Sequence, residues 1–242
     1  MYPAEPLPHF VDDYLSYLQE VHPSQATLDG AHLHDDLLED LSRPAIDAHV
    51  RALAGFSRRL HQIDVATLPP GEAIEHPIVS ANVDARMFEF EEVRSWERNP
   101  QTYADILGTS LAAQALFSYA PEPERARRVV SKLRQVPRLV QAARDNVREC
   151  PGIFVKMGLE GWRGVLKFLD ADLPKAFSSL DDLHILGDLA DTSTEAITAV
   201  RSYIAYLEEE VAPKAKASFR LGRDRFEKKL RLDEIGRASC RE

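Results

Sequence analysis

Asn99 to Val147 is the stretch that decides the fold, and it reads NPQTYADILGTSLAAQALFSYAPEPERARRVVSKLRQVPRLVQAARDNV. Asparagine is a favourable N-cap, and proline is favoured in the first turn of a helix, where its missing N–H would have no intrahelical partner. Asn99 with Pro100 therefore predicts the start of one helix, and Pro121 or Pro123 predicts the start of a second. By the same reasoning Pro137 predicts the start of a third helix.

The first of these helices is rich in small residues. They are Gly108, Ser110, Ala112, Ala113 and Ala115. Because the distance between packed helices depends on the side chains at the contact, small residues let neighbours approach closely. We therefore expect this helix to be central.

The rest of the chain shows apolar residues at three- and four-residue spacing, which is typical of amphipathic helices. The long segment that starts at Pro44 is one example, with an apolar face formed by Ile46, Val50, Leu53, Phe56, Leu60 and Ile63. Thr192 and Glu195 have the spacing of a capping box and predict the start of another helix. A further helix is expected to place Met157 and Trp162 in the core. No convincing period-2 alternation occurs, so the sequence predicts an all-α fold of roughly nine helices, in a single domain over residues 1–234.

Composition and charge exclude several classes of partner. The chain has 242 residues and a formal net charge of -9, and an acidic protein repels phosphate backbones, so we expect no nucleic-acid partner. No apolar run approaches the ~20 residues that span a bilayer, so we expect no membrane segment. The first residues have neither a basic nor an apolar signal region, which predicts a cytoplasmic location.

The last eight residues, 235–242, read IGRASCRE and resemble the translation of a short-read sequencing adapter. We therefore expect the natural sequence to end at or near Glu234 and the octapeptide to be an adapter-derived tail outside the fold. Without it the chain keeps one cysteine, Cys150, which predicts neither a disulfide framework nor a zinc knuckle.

The densest polar cluster is His32-Leu33-His34-Asp35-Asp36. Two histidines at i and i+2 can share a metal ion on a strand, where alternate side chains lie on one face. The preceding residues are not an apolar strand, however, and a metal site needs several convergent ligands. The favoured interpretation is a solvated turn whose aspartates cap the next helix.

Three other groups of residues and one cysteine are candidates for a chemical role. Glu160-Gly161-Trp162 and the run Glu208–Glu210 could supply carboxylates, but the tryptophan is expected in the core and the glutamates on an exposed face. Arginines recur through the second half of the central stretch, at Arg125, Arg127, Arg128, Arg134, Arg138, Arg144 and Arg148. They could form an anion-binding groove, but we expect them to pair with acidic residues on other helices. Cys150 is expected to be inert, because reactivity needs a depressed pKa.

Standard catalytic motifs do not occur in this sequence: there is no H-E-x-x-H, P-loop, G-x-G-x-x-G or G-x-S-x-G. We therefore assign no catalytic, cofactor-binding or metal-binding residue on this chain.

Several spaced motifs together resemble the N-terminal half of a bacterial family catalogued as domain of unknown function 885. They are Ala26-Thr27 through Gly30-x-His32-x-x-Asp35, Asp40-Leu41-Ser42, Asn99-Pro100-x-x-Tyr103, Arg125, Leu133-x-x-Val136-Pro137-x-Leu139, Ala142-x-x-x-Asn146, Pro213-x-Ala215, Phe219-Arg220-Leu221-Gly222 and Phe226. The resemblance implies a longer all-helical protein related to zinc-dependent peptidases. In that family the zinc motif H-E-x-x-P-G-H and a third ligand from an E-G-W-A segment lie in the second half, and Glu160-Gly161-Trp162 is in the wrong half to be that segment.

The leading hypothesis is therefore the N-terminal scaffold and cleft wall of a zinc-dependent peptidase, a hydrolase, that is inactive without the half holding the zinc. The full-length parent would take a peptide substrate, and no cofactor is expected in this fragment. One alternative is a non-catalytic helical binding or scaffold domain. A weaker one is a metal-dependent hydrolase using His32, His34 and Asp35. Because faces meant for the missing half would be exposed, the fragment is expected to self-associate through apolar faces.

Overall fold

A computed structural model describes residues 6–232, and over these residues the fold is all-helical, as the sequence predicts. Nine α-helices of six residues or more lie within this range. The α-helices are α1 (Leu7–Val21), α2 (Pro23–Leu28), α3 (Arg43–His61), α4 (Pro70–Phe88), α5 (Ser95–Arg98), α6 (Gln101–Leu116), α7 (Glu122–Asn146), α8 (Gly152–Lys167), α9 (Leu173–Ala176), α10 (Leu183–Tyr206) and α11 (Arg223–Leu232). Single π-helical turns, Glu89–Val93, Phe168–Asp172 and Leu207–Val211, follow α4, α8 and α10. The proposed adapter tail, residues 235–242, lies outside the described residues.

The chain divides into two compact units. The first comprises residues up to Tyr17, Pro44–Ser95 and Arg220 onwards, and the second comprises Leu18–Arg43 and Trp96–Phe219. The expectation of a single domain over residues 1–234 stays a prediction.

The first unit is built from α1, α3, α4 and α11. Its aromatic core joins α1 to α3, with the rings of Phe10 and Tyr14 at 5.7 and 5.1 Å from that of Phe56. The Tyr14 hydroxyl donates a hydrogen bond of 2.8 Å to Asn82 Oδ1 and so ties α1 to α4. Burial raises the pKa of Tyr14 to about 12, so this phenol stays a neutral donor.

The second unit is organised around α6, which packs against α2, α7, α8 and α9. The prediction that this small-residue helix is central is confirmed. Its core contains fully buried Leu107, Leu111, Leu133, Trp162 and Tyr203. The Asn99 cap is also present, because Asn99 Oδ1 accepts a hydrogen bond of 3.1 Å from the backbone N–H of Gln101.

The prediction of a new helix at Pro137 is wrong, because α7 continues through this residue from Glu122 to Asn146. An internal proline removes one backbone hydrogen bond and costs about 3 kcal/mol or more. The turns on both sides bury Leu133, Val136, Leu139 and Val140, and each such side chain contributes roughly 1.5–3 kcal/mol when fully buried. The apolar stripe therefore outweighs the local signal.

The predicted capping box at Thr192 is also wrong, because Thr192 lies inside α10. Its hydroxyl donates back to the carbonyl of Asp188 at 2.7 Å, which satisfies it within the helix. The actual N-cap is Asp182, whose carboxylate accepts from the backbone N–H groups of His184 and Ile185. Aspartate ranks above threonine as an N-cap, and Asp182 lies ten residues before Thr192.

The core prediction on α8 is confirmed for Trp162, which is fully buried, but not for Met157, which is 42% exposed. Burial of Trp162 depends on a close approach between the start of α6 and α8. Its indole N–H donates to the carbonyl of Pro100 at 3.1 Å. At the same contact, a Cβ placed on Gly158 would lie 2.6 Å from Pro100 Cγ, so only glycine fits this helix crossing.

We expect Gly158→Ala to lower the free energy of unfolding by about 1–3 kcal/mol, because the added methyl overlaps a rigid proline ring and forces the helices apart. The matched control is Gly164→Ala on the same helix, where an added Cβ would have no atom within 4 Å. That change should stabilise the protein by roughly 0.5–1 kcal/mol, because alanine has the higher helix propensity. Urea unfolding of both variants measures the difference, and equal effects would exclude the steric explanation.

Candidate functional site

The polar cluster around His32 lies in the turn that follows α2, and a left-handed glycine shapes it. Gly30 has a φ of +85°, a conformation that glycine adopts without the steric cost of a side chain. The backbone N–H of Ala31 then donates to the carbonyl of Ala26 at 2.8 Å, which closes the end of α2. The chain folds back, and Asp35 enters the interior with 1% of its surface exposed.

Asp35 is held by donors from three parts of the second unit. Thr27 Oγ1 donates to its Oδ1, and Arg128 of α7 donates to its Oδ2. His32 Nδ1 lies 3.0 Å from the same Oδ2. Burial raises the pKa of Asp35, but hydrogen bonding from Thr27 and Tyr119 and the charges of His32 and Arg128 together bring it below its usual value. Asp35 is therefore an ionised, buried carboxylate.

The interpretation of this segment as a solvated turn with helix-capping aspartates is wrong for Asp35. Its carboxylate points inward to a cation 93 positions further along the chain. The side chain that caps a backbone group near the start of α3 is that of Asp40, whose Oδ1 accepts from the N–H of Ser42 at 2.9 Å.

Tyr119 covers this ion pair from the loop between α6 and α7. Its ring stacks on His32 with centroids 4.0 Å apart, and its hydroxyl donates to Gln114 Oε1 on α6. Arg128 Nη1 also lies 3.3 Å from the Tyr119 hydroxyl. Burial raises the pKa of Tyr119 to about 12, so this phenol acts as a neutral hydrogen-bonding bridge between the turn and both helices.

A second buried polar layer lies next to the first. Lys132 of α7 is fully buried, and its Nζ donates to Ser110 Oγ at 2.7 Å. Glu39 is also buried and accepts from the Ser24 backbone N–H at 3.0 Å and from its hydroxyl at 2.7 Å. Burial raises the pKa of Glu39 and lowers that of Lys132 to about 8. The two layers together, Ser24, Thr27, His32, Asp35, Glu39, Ser110, Gln114, Tyr119, Arg128 and Lys132, are called the polar clamp below.

The side chains of the polar clamp attach the turn after α2 to α6 and α7. Asp35 has three donors on its two oxygens, and its strongest partner is a guanidinium that competes with any metal cation. None of these hydrogen bonds involves His34. Among residues 6–232, no group of three or more His, Cys, Asp or Glu side chains is placed to hold a metal ion.

Four of the α7 arginines pair with acidic residues, as expected. Arg127 lies 3.9 Å from Asp182, Arg134 lies 3.1 Å from Asp188, Arg138 lies 3.0 Å from Asp40, and Arg128 pairs with Asp35 and Glu124. Arg125 and Arg144 instead donate to backbone carbonyls, of Gln114 at 2.7 Å and of Ser202 at 3.3 Å. Arg148 lies after the end of α7, and its backbone N–H donates to the backbone carbonyl of Glu97.

The remaining candidate residues lie apart from the polar clamp in the second unit. Glu208, Glu209 and Glu210 are exposed, as expected, and Arg163 pairs with the first at 2.5 Å. Glu160 lines a surface cavity of about 260 Å³ together with Lys156, Arg163 and Ala215. Burial raises the pKa of the Cys150 thiol to about 12, and its Sγ donates to the carbonyl of Arg98 at 2.9 Å, which agrees with an inert thiol.

Five members of the polar clamp were not predicted from the sequence: Ser24, Glu39, Gln114, Tyr119 and Lys132. A signal existed for Lys132, because it lies three residues after buried Val129 and four before buried Val136, on the apolar stripe of α7. A lysine at a core position of a helix indicates a buried partner, here Ser110 on the neighbouring α6.

Comparisons with known proteins agree with this architecture. A family model described as a bacterial protein of unknown function (DUF885) matches residues 23–237. A solved structure, described as that of "a putative lipoprotein of unknown function from Shewanella oneidensis", matches with a TM-score of 0.86 and 20% sequence identity. The match covers 95% of this chain and 42% of that chain, so this chain spans less than half of the solved protein. No curated protein matches, and no helix within residues 6–232 has the length and apolar character to cross a membrane.

We expect Asp35→Asn to lower the free energy of unfolding by about 2–4 kcal/mol, because it removes the buried anion of a partly buried guanidinium, which then keeps only the exposed carboxylate of Glu124. The control is Asp188→Asn, which removes an ion pair with Arg134 in which both side chains are more than half exposed. That change should cost less than about 1 kcal/mol. Because the folded-state pKa of Asp35 is lowered, its contribution is complete above the ordinary pKa of 3.8 and is lost as the pH falls. Urea unfolding at neutral and acidic pH should therefore show the gap between wild type and Asp35→Asn closing in acid.

Lys132→Met should change how stability depends on pH in the alkaline range. The pKa of Lys132 is about 8 in the folded protein and 10.5 in its ordinary state, so between these values the unfolded chain binds the proton more tightly. The stability of the wild type relative to Lys132→Met should then rise by about 2–3 kcal/mol from pH 8 to pH 10.5. The exposed Lys156→Met is the matched control, and a flat difference for Lys132→Met would show that the lysine is not buried as a charge-disfavoured group.

Proposed function

The chain belongs to the bacterial protein family of unknown function DUF885, and we propose that it is the N-terminal helical scaffold of a longer zinc-dependent peptidase. On this proposal the chain supplies one wall of a substrate cleft, and the groups that bind zinc and activate water belong to a following part of the protein. The proposal combines the family membership with the relation to zinc peptidases that the sequence motifs imply.

The observation that carries the proposal is the coverage of the solved structure. The match takes in 95% of this chain but only 42% of that chain, which leaves room for a second half of similar size. The resemblance places the motif H-E-x-x-P-G-H in that second half. Zinc held by the two histidines of this motif and a carboxylate would polarise the peptide carbonyl and lower the pKa of a bound water.

This chain would contribute a rigid scaffold that positions the substrate. The polar clamp fixes residues 22–41 on α6 and α7 through buried, charge-assisted hydrogen bonds, which are stronger than neutral ones. A cleft wall built on such a scaffold holds a peptide substrate in a fixed position, and positioning alone lowers reaction barriers. A cytoplasmic location of the protein stays a prediction.

The test is to extend the reading frame past the codon for Glu234 and to compare the extended protein with residues 1–234. We expect the extended protein to bind zinc in a one-to-one ratio and to cleave peptides, and residues 1–234 to do neither. Replacing the glutamate of H-E-x-x-P-G-H by glutamine should abolish cleavage while zinc stays bound, because that glutamate is the general base.

Two results would overturn the proposal. An extended frame that encodes neither H-E-x-x-P-G-H nor H-E-x-x-H would favour the alternative, a non-catalytic helical binding or scaffold domain. One-to-one zinc binding by residues 1–234 that is lost in His32→Ala would favour the metal site at His32, His34 and Asp35.

A further inference from the structure

Four of the five most exposed large apolar side chains of the second unit lie at one of its ends. Leu183 is 82% exposed, Leu33 is 80%, Leu116 is 69% and Phe117 is 55%. These four residues are called the apolar end. Single exposed apolar residues are ordinary, but a group at one place marks an interaction surface.

Contacts within the second unit bring these residues to the same place. His32, the neighbour of Leu33, stacks on Tyr119, which is two residues after Phe117. The start of α10, which carries Leu183, lies on the start of α7, because Asp182 pairs with Arg127. The start of α7 in turn meets the end of α6, because Arg125 donates to the carbonyl of Gln114 at 2.7 Å.

The surface around the apolar end is acidic. Asp36, Glu122, Glu124, Asp181 and Asp182 lie on the elements that form it, and the arginines beside them that are not buried are Arg127 and Arg128. Both arginines already pair with carboxylates, of Asp182 and of Asp35 with Glu124. A partner for this surface would therefore present apolar side chains within a basic frame.

Helix α11 of the first unit has that chemistry. It carries five basic residues and two acidic ones, a net charge of +3 in a chain whose net charge is -9. Its attachment to α4 uses Lys228, which lies 2.6 Å from Glu92 and over the ring of Phe88. Phe226 remains 54% exposed, and no residue of α11 is buried.

We propose that the apolar end of one copy of this chain binds α11 of a second copy. Phe226 contacts the exposed leucines of the apolar end, and Arg225 and Arg231 of α11 face its acidic surround. Two copies of α11 would repel each other, since each carries a net charge of +3, so charge favours this pairing over a symmetric one. The contact joins two different surfaces, so each copy offers one of each and the assembly can extend.

The experiment measures the mass of the whole chain by light scattering and by sedimentation over a range of concentrations. We expect a concentration-dependent assembly that weakens when salt rises from about 0.05 M to about 0.5 M, because the attraction is partly between charges. Leu183→Asp on the apolar end and Phe226→Asp on α11 should each raise the dissociation constant at least about tenfold. Aspartate is favourable in the first turn of a helix, so Leu183→Asp should not unfold α10. Leu15→Asp, on an exposed leucine of α1, is the matched control and should leave assembly unchanged.

Mixing the two monomeric variants tests the pairing directly. Leu183→Asp keeps an intact α11 and Phe226→Asp keeps an intact apolar end, so an equimolar mixture should form heterodimers that do not assemble into larger species. Should Phe226→Asp lower the helix content by circular dichroism, the charge reversal of Arg225→Glu with Arg231→Glu replaces it in the mixture. A monomeric wild type, assembly that strengthens with salt, or a mixture that stays monomeric would each overturn the proposal.

Discussion

The second unit depends on one constraint, which is that α7 buries cations together with its apolar stripe. Over its 25 residues this helix supplies Leu133, Val136 and Leu139 to the core, and it also buries Lys132 and Arg125. A buried charge without partners is far more costly than the gain from one apolar contact. Lys132 donates to Ser110 and Arg125 donates to the carbonyl of Gln114, so α6 must lie on α7. Asp35 pairs in the same way with the partly buried Arg128, which holds the turn after α2 on α7.

Much of the fold could be predicted from the sequence because the strongest signals are local. Pro121 before α7 and Asn99 before α6 act through the backbone within a few residues, and both are found as expected. Pro137 and Thr192 carry the same kind of signal, yet both lie inside helices. The difference is burial: the apolar stripe of α7 continues across Pro137, and Thr192 is itself buried on α10. Local chemistry identifies candidate ends, and burial decides which of them are used.

The polar clamp was less predictable, because its pairs are distant in sequence. The sequence selected His32 and Asp35 as a cluster, but the charge that holds Asp35 in place comes from Arg128, 93 positions away. The α7 arginines pair with acidic residues, as expected. The sequence did not indicate that the pair with Asp35 is the buried one and that the other three are exposed. Lys132 shows what the spacing of residues can still reveal, since a charged residue on a core stripe implies a partner opposite it.

The turn after α2 links the buried charges to the exposed apolar surface. The left-handed conformation of Gly30 sends Asp35 inward to Arg128, and in the same turn Leu33 faces outward with 80% of its surface exposed. This is the reverse of the ordinary distribution, in which leucine is inside and aspartate is outside. The stability of the unit accounts for the buried aspartate, because Thr27, His32 and Arg128 satisfy it. It does not account for the outward leucine, which contributes nothing to the unit while it faces water. A surface that exposes Leu33 beside Phe117 and Leu183 is therefore better explained by a contact with another chain than by the folding of this one.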